Sequence, residues 1–206
     1  MTAADEILYP VGVENLFIAM MTGGKDSPTA IPTYETIKSI PTIETIGIAG
    51  STSTVQKWAS NKLLVTATKN SQFTLTLDTP GIPLTIQDAI MGYIAAKGIV
   101  FDTADVKTLP CFAVGFIAPL SDGNKLARWY PKVQVTAPDE SYSTTTEGEV
   151  TIPTKQIVMM ASPLQFNNVT KADFNSARTS ATGVTAEEFM AQVVVDESQL
   201  ATLFPG

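Results

Sequence analysis

CFAVGFIA (111–118), the turn SDGN (121–124), RWYPKVQV (128–135), the polar run DESYSTTTEGE (139–149) and VTIPTKQIVMMASPLQF (150–166) decide the fold. The first of these is apolar on both faces, as a strand inside a sandwich or barrel wall must be, and the Ser-Asp-Gly-Asn turn returns the chain as an antiparallel partner. In that partner simple alternation sets Trp129, Val133 and Val135 on one face and Arg128, Tyr130, Lys132 and Gln134 on a wetter one. Pro131 cannot donate to a ladder, so it marks an edge strand or a bulge. Two further strand-like stretches lie around Pro153 and Pro163. The layout is a β-meander with one long polar loop.

Working outward, residues 11–21 read as a first strand, apolar towards its end and closed by Gly23 and Gly24. Residues 33–48 place five isoleucines among Thr, Ser and Glu; Pro41 breaks any helix, so the stretch is extended with a bend there. GIAGSTSTVQKWASN (47–61) is rich in small and hydroxyl side chains and reads as a long mobile loop or hairpin tip. Residues 63–78 end in strict alternation, with Phe73, Leu75 and Leu77 on one face. One helix is expected over about 85–97, with Thr85 and Asp88 as a capping-box-like start, an Ile86/Ile90/Ile94 stripe, and a stop at Lys97 and Gly98. Beyond Asn167 short helices are expected at Thr170 and at Thr185, the latter with Glu188, before the run Val193 to Val195. Residues 167–206 read as a C-terminal arm or extension on a β domain spanning 1–166.

Composition narrows the function. A chain of 206 residues can bury a core without staples. Only 16% of residues are charged against 44% hydrophobic, so the surface must be rich in hydroxyl, amide and small apolar groups, which suits lateral packing. A net charge of −7 argues against a nucleic-acid groove, since phosphate binding rests on clustered Lys and Arg. Cys111 is the only cysteine; it is expected as a small buried apolar residue, with no intrachain disulfide and no cysteine cage for zinc. The opening residues MTAADEILYP lack a basic and an apolar region, so no secretory signal is read in them. No apolar run approaches the roughly 18 residues of a membrane span.

With no histidine in the chain, the usual general base, the Ser-His-Asp arrangement and the commonest metal ligand are missing, and an enzyme is not expected. The glycines form neither a Walker loop nor a dinucleotide turn, and no cofactor is expected. Asp139, Glu140, Glu147 and Glu149 bracket the polar loop. They read as a solvated or lumen-facing acidic loop, a subunit contact, or, without EF-hand spacing, a Ca²⁺ site. Trp58 sits on a polar stretch where a large aromatic is costly to leave wet; it either meets another subunit or folds back onto its own domain.

GVENLFIAMMT (12–22), IPTIETIGIAGS (40–51), IQDAIMGYIAAKG (86–98), FAVGF (112–116) and KLARWYPKVQVTAPDESYSTTTEGEVTIPT (125–154) together resemble the major tail tube proteins of long-tailed, non-contractile bacteriophages, in the branch common among phages of Gram-positive hosts. The resemblance covers residues 11–166; the contractile injection machines share the architecture. It implies a mainly β protein with a flanking α-helix, a β-sandwich or barrel of the tail-tube type. It further implies hexameric rings, built from the chain itself, that stack into a hollow tube around a tape-measure protein. A tail terminator and distal tail proteins would then be further partners, and DNA would pass through the lumen without specific binding. Localisation follows as the virion, with the host cytoplasm during assembly. In relatives a long loop or hairpin reaches an adjacent ring at the position of residues 47–61, which makes Ile48, Val55, Lys57 and Trp58 inter-subunit contact candidates. The alternative is a virion decoration or baseplate β-sandwich that binds a cell-surface glycan.

Overall fold

The computed structural model describes residues 7–24, 26–59, 62–101, 103, 105, 107–136, 154–181 and 183–204. The protein is mainly β, a large antiparallel sheet with a few short helices. Its strands are β1 (Leu16–Met20), β2 (Lys38–Ile40), β3 (Thr45–Ala59), β4 (Lys62–Thr79), β5 (Phe112–Pro119), β6 (Lys125–Val135), β7 (Lys155–Ala161) and β8 (Ala172–Asn175). The sheet order is β2-β1-β5-β6-β7-β4-β3, with β8 also beside β6. Strand β6 is the fork. One of its edges pairs β5; the other gives Leu126–Trp129 to β8 and Val133–Val135 to β7.

Both faces of β5 and β6 are buried, which is why their sequence gives no clean inside–outside pattern. One face carries Phe112, Val114, Phe116 and Tyr130 in a core shared with Leu16, Leu75, Leu77 and Ile157. The helix α1 (Leu84–Met91) covers part of it with Ile86, Ile90 and Met91, and Ile43, Ile82 and Tyr93 from loops add to the cover. The opposite face carries Ala113, Ile117, Ala127 and Trp129, packed under Phe189, Met190 and Val193 to Val195.

Several expectations need correction. Strand β6 is central rather than an edge, and Pro131 sits in a bulge: Val114 pairs Tyr130 but Phe112 pairs Val133, so one extra residue is accommodated on β6. That residue shifts the phase. Val133 and Val135 join Tyr130 in the first core, while Trp129 points into the second. Helix α1 ends six residues earlier than the stripe suggested, because Gly92 takes a left-handed conformation (φ 66°) and Tyr93 N–H closes on the Asp88 carbonyl. Lys97 and Gly98 form a separate turn between Ala96 and Ile99. The helix starts after Pro83 with no side-chain cap, so Thr85 lies inside it.

Residues 167–206 were expected as an arm or extension; those described, 167–181 and 183–204, add a strand to the sheet and side chains to its second core. Around Asp173 the chain forms β8 instead of a helix, paired to β6. Thr185 and Glu188 do form a capping box, opening α2 (Ala186–Met190), and the ring of Phe189 stacks on Phe174 of β8 at 5.6 Å. Burying one large apolar side chain is worth roughly 1.5–3 kcal/mol. Phe189, Met190, Val193, Val194 and Val195 together therefore make a substantial gross contribution, set against the entropy lost in ordering the segment that carries them. From its far side the second core is closed by the loop before β2. Asp26 accepts from Lys132 Nζ at 3.1 Å and from Gln165 N–H, and Tyr34 Oη–H donates to the Pro131 carbonyl at 2.8 Å. Burial first, and then the negative charge of Asp26, push the Tyr34 phenol far above its usual pKa.

Gly115 has the closest surroundings of any described glycine. It lies opposite Trp129, and a Cβ there would come within 2.6 Å of the indole ring and 2.5 Å of the Met190 methyl. Gly115→Ala is expected to cost about 1–3 kcal/mol through overpacking, read as a lower urea midpoint; an unchanged midpoint would contradict the packing described.

Candidate assembly surface

The feature with most functional content is the β3–β4 hairpin. Among the described residues β4 pairs β7 only from Phe73 to Thr79, and β3 pairs only β4. Beyond the Gly50–Phe73 pair, residues 51–59 and 62–72 have no third strand among the described residues. At about 3.3 Å per residue the ribbon projects roughly 30 Å past the sheet. Of the two readings of residues 47–61, a loop or a hairpin tip, the structure shows the hairpin, with regular strand up to Ala59. Two register shifts, between Ser51 and Thr52 and between Lys57 and Trp58, add twist along it.

The contact candidates fall along this ribbon. Ile48 pairs Leu75 near the sheet and is half exposed; Val55 pairs Ala67 midway out; Lys57, paired to Val65, is exposed. Trp58 is 61% exposed and does not fold back onto its own domain. Sequence reading missed two neighbours: Leu64 and Val65 are 61% and 52% exposed. The KLLV run directly after the turn was the available signal. A second apolar area was also missed, where Ile94 and Phe101 stand exposed after α1. Asp139, Glu140, Glu147 and Glu149 lie outside the described residues, as does the first of the two strands expected around Pro153.

Charge is segregated along the chain. From Thr45 to Leu77 there are three lysines, Lys57, Lys62 and Lys69, and no acid, so with a total of −7 the remainder carries −10. At the base of the ribbon Asp78 accepts from Thr45 and Gln156, bonds that hold its carboxyl below the usual range.

At the other end of the strand order, two depressions of about 580 and 430 Å³ run between residues 31–39 and the C-terminal segment, joined through Thr36, Ile37 and Ala191. Polar ties hold the margin of the second depression and, away from both, strand β8. Lys125 Nζ bridges Glu14 at 3.2 Å and Glu187 at 2.7 Å, linking the N-terminal segment, β6 and α2. Arg128 pairs with Asp173 across β6 and β8, and Lys171 reaches the same carboxylate at 2.7 Å. For Asp173 burial acts to raise the pKa, but the bonds from Lys171 and Arg128 outweigh it and leave the carboxyl below its normal value.

No group of three or more metal-ligating side chains occurs among the described residues, and no helix there is long and apolar enough to cross a membrane. Cys111 is buried in the second core, and burial raises its thiol pKa. Neither a scan of protein-family models nor a search of curated proteins finds a match to this chain.

The Asp173 pair gives a pH signature. A carboxyl with a depressed folded-state pKa stabilises fully above its unfolded value of about 3.9 and loses that contribution as pH falls through the folded value. Wild type is therefore expected to exceed Asp173→Asn in stability from neutral pH down to about pH 4, with the gap closing below that. Chemical denaturation across pH checks it; a gap that persists or widens in acid would contradict it.

Proposed function

We propose that this chain is a structural virion protein that self-assembles into hexameric rings, stacked as the hollow tail tube of a long-tailed, non-contractile phage. One observation carries the reading: a two-stranded ribbon that projects from the sheet with Trp58, Leu64 and Val65 exposed. An isolated two-stranded hairpin is marginal in water. Exposed aromatic and aliphatic side chains at its end mark a surface that another molecule covers. The resemblance of the segments over 11–166 supplies the identity of that molecule, a further copy in the next ring.

Three other observations support the same reading. The outer edge of β3 is long and carries no partner strand among the described residues, and a continuous wall of copies would remove such an edge. The charged fraction is low, as lateral packing requires. Net negative charge, where it lines a channel, would repel DNA and let it slide past. In this reading the tape-measure protein occupies the lumen during assembly, and terminator and distal proteins close the ends.

Negative-stain electron microscopy of the purified protein is expected to show rings or tubes. Replacing residues 52–71 by a two-residue turn should leave a folded monomer, its melting temperature within a few degrees of wild type, and abolish stacking. Full-length protein that stays monomeric at every concentration and salt would contradict the reading, and monomeric binding on a glycan array would favour a decoration protein instead.

A further inference from the structure

The donor ribbon and the double depression are complementary in kind. The depressions have a mixed lining, apolar at Phe17, Ile37, Ile117, Met190 and Val193 and acidic at Glu14, Glu35 and Glu187. No lysine or arginine is among the lining residues of either, though Lys125 beside them offsets part of the charge of Glu14 and Glu187. The ribbon is the reverse: apolar at Trp58, Leu64 and Val65, positive at Lys57 and Lys62, and without an acid from Thr45 to Leu77. Ribbon and depressions also sit at opposite ends of the strand order, on β3 and beside β2.

We propose that the acidic groove between residues 31–39 and 186–199 is the seat for the β3–β4 ribbon of a second copy of this chain. The proposal rests on the tube reading and adds the acceptor to it. Such a contact is heterologous, one patch meeting a different patch, and so propagates from copy to copy instead of closing as a two-fold pair. Apolar side chains of the ribbon would fill depressions whose size suits an aromatic anchor. Opposite charges at the margin would fix orientation and speed the encounter. It also gives the C-terminal segment a task beyond packing, since α2 and the residues after it form one wall.

A charge-swap experiment tests it on the full chain. A ribbon variant, Lys57→Glu with Lys62→Glu, and a groove variant, Glu35→Lys with Gln192→Lys, are each expected to lose assembly roughly tenfold or more in a sedimentation assay, because like charges facing one another across a contact oppose it. Mixed in equal amounts they should recover it, since each ribbon then finds an opposite groove. Wild-type tubes that form while both variants assemble normally alone, or variants that fail and are not restored by mixing, would overturn the groove assignment and leave the tube reading standing. A wild type that never assembles would remove both. Should a variant not fold, carbodiimide cross-linking of wild-type tubes grown from isotopically mixed protein decides. Cross-links between copies from Lys57 or Lys62 to Glu14, Glu35 or Glu187 support the assignment, and their absence among other inter-copy links overturns it.

Discussion

The indole of Trp129 meets the backbone of Gly115 with no Cβ between them, and the remaining structure is arranged around that contact. A glycine in a strand interior weakens the strand, yet here it admits the largest side chain of the core directly onto the neighbouring backbone. The indole Nε1–H then donates to the Phe189 carbonyl at 3.2 Å, and Met190 closes the same space. The second face of the sheet is thereby sealed by the chain's own C-terminal segment. β8, α2 and the valine run are needed for this cover, so residues after 167 cannot be separated from the sheet without exposing its core.

The consequence is an asymmetry between the two ends of the sheet. Near β5 and β6 every face is filled, with Phe112, Val114, Trp129, Tyr130 and Val133 all fully buried. Past the Gly50–Phe73 pair the same sheet thins to two strands with apolar side chains in water. The chain completes its own centre and leaves its longest strands unfinished. The stretch from Thr45 to Leu77 carries three lysines and no acid, while the rest of the chain carries the negative excess, so on the proposed reading contact of ribbon with body is electrostatically favoured over contact of like parts. Heterologous contacts of this kind suit a ring or a filament better than a closed dimer.

Much of this was legible where burial imposes a pattern. Phe73, Leu75 and Leu77 alternate because one face of β4 is core and the other is wet, and residues 112–118 are continuously apolar because both faces are core. The Thr185–Glu188 capping box was readable because its chemistry is local. Where neither condition held, sequence reasoning faltered. Residues 51–59 are strand without alternation: the side chains described there, at 51, 52, 54 and 56–58, are all exposed, so burial imposes no pattern on them. The phase slip at Pro131 reversed the faces of Val133 and Val135, because a bulge changes the count without changing composition. Helix α1 ended at Gly92 instead of Gly98 because the earlier glycine could already adopt the left-handed stop. Strand β8 carries only four half-buried residues, too few for a pattern. On the candidate surface, Trp58 could be singled out by residue type and Lys57 only through the family resemblance, whereas the groove could not be found, since its walls come from segments about 150 residues apart in the chain.

In the proposed tube the ribbon gains its stability from another copy, while the β5–β6 centre is self-sufficient. Amide hydrogen exchange followed by mass spectrometry, compared between dilute monomer and assembled protein, tests this most directly. Amides in 51–72 are expected to exchange rapidly in the monomer and become protected on assembly, while those of 112–119 and 125–135 are protected in both. Equal protection of the ribbon and the β5–β6 pair in dilute monomer would contradict it.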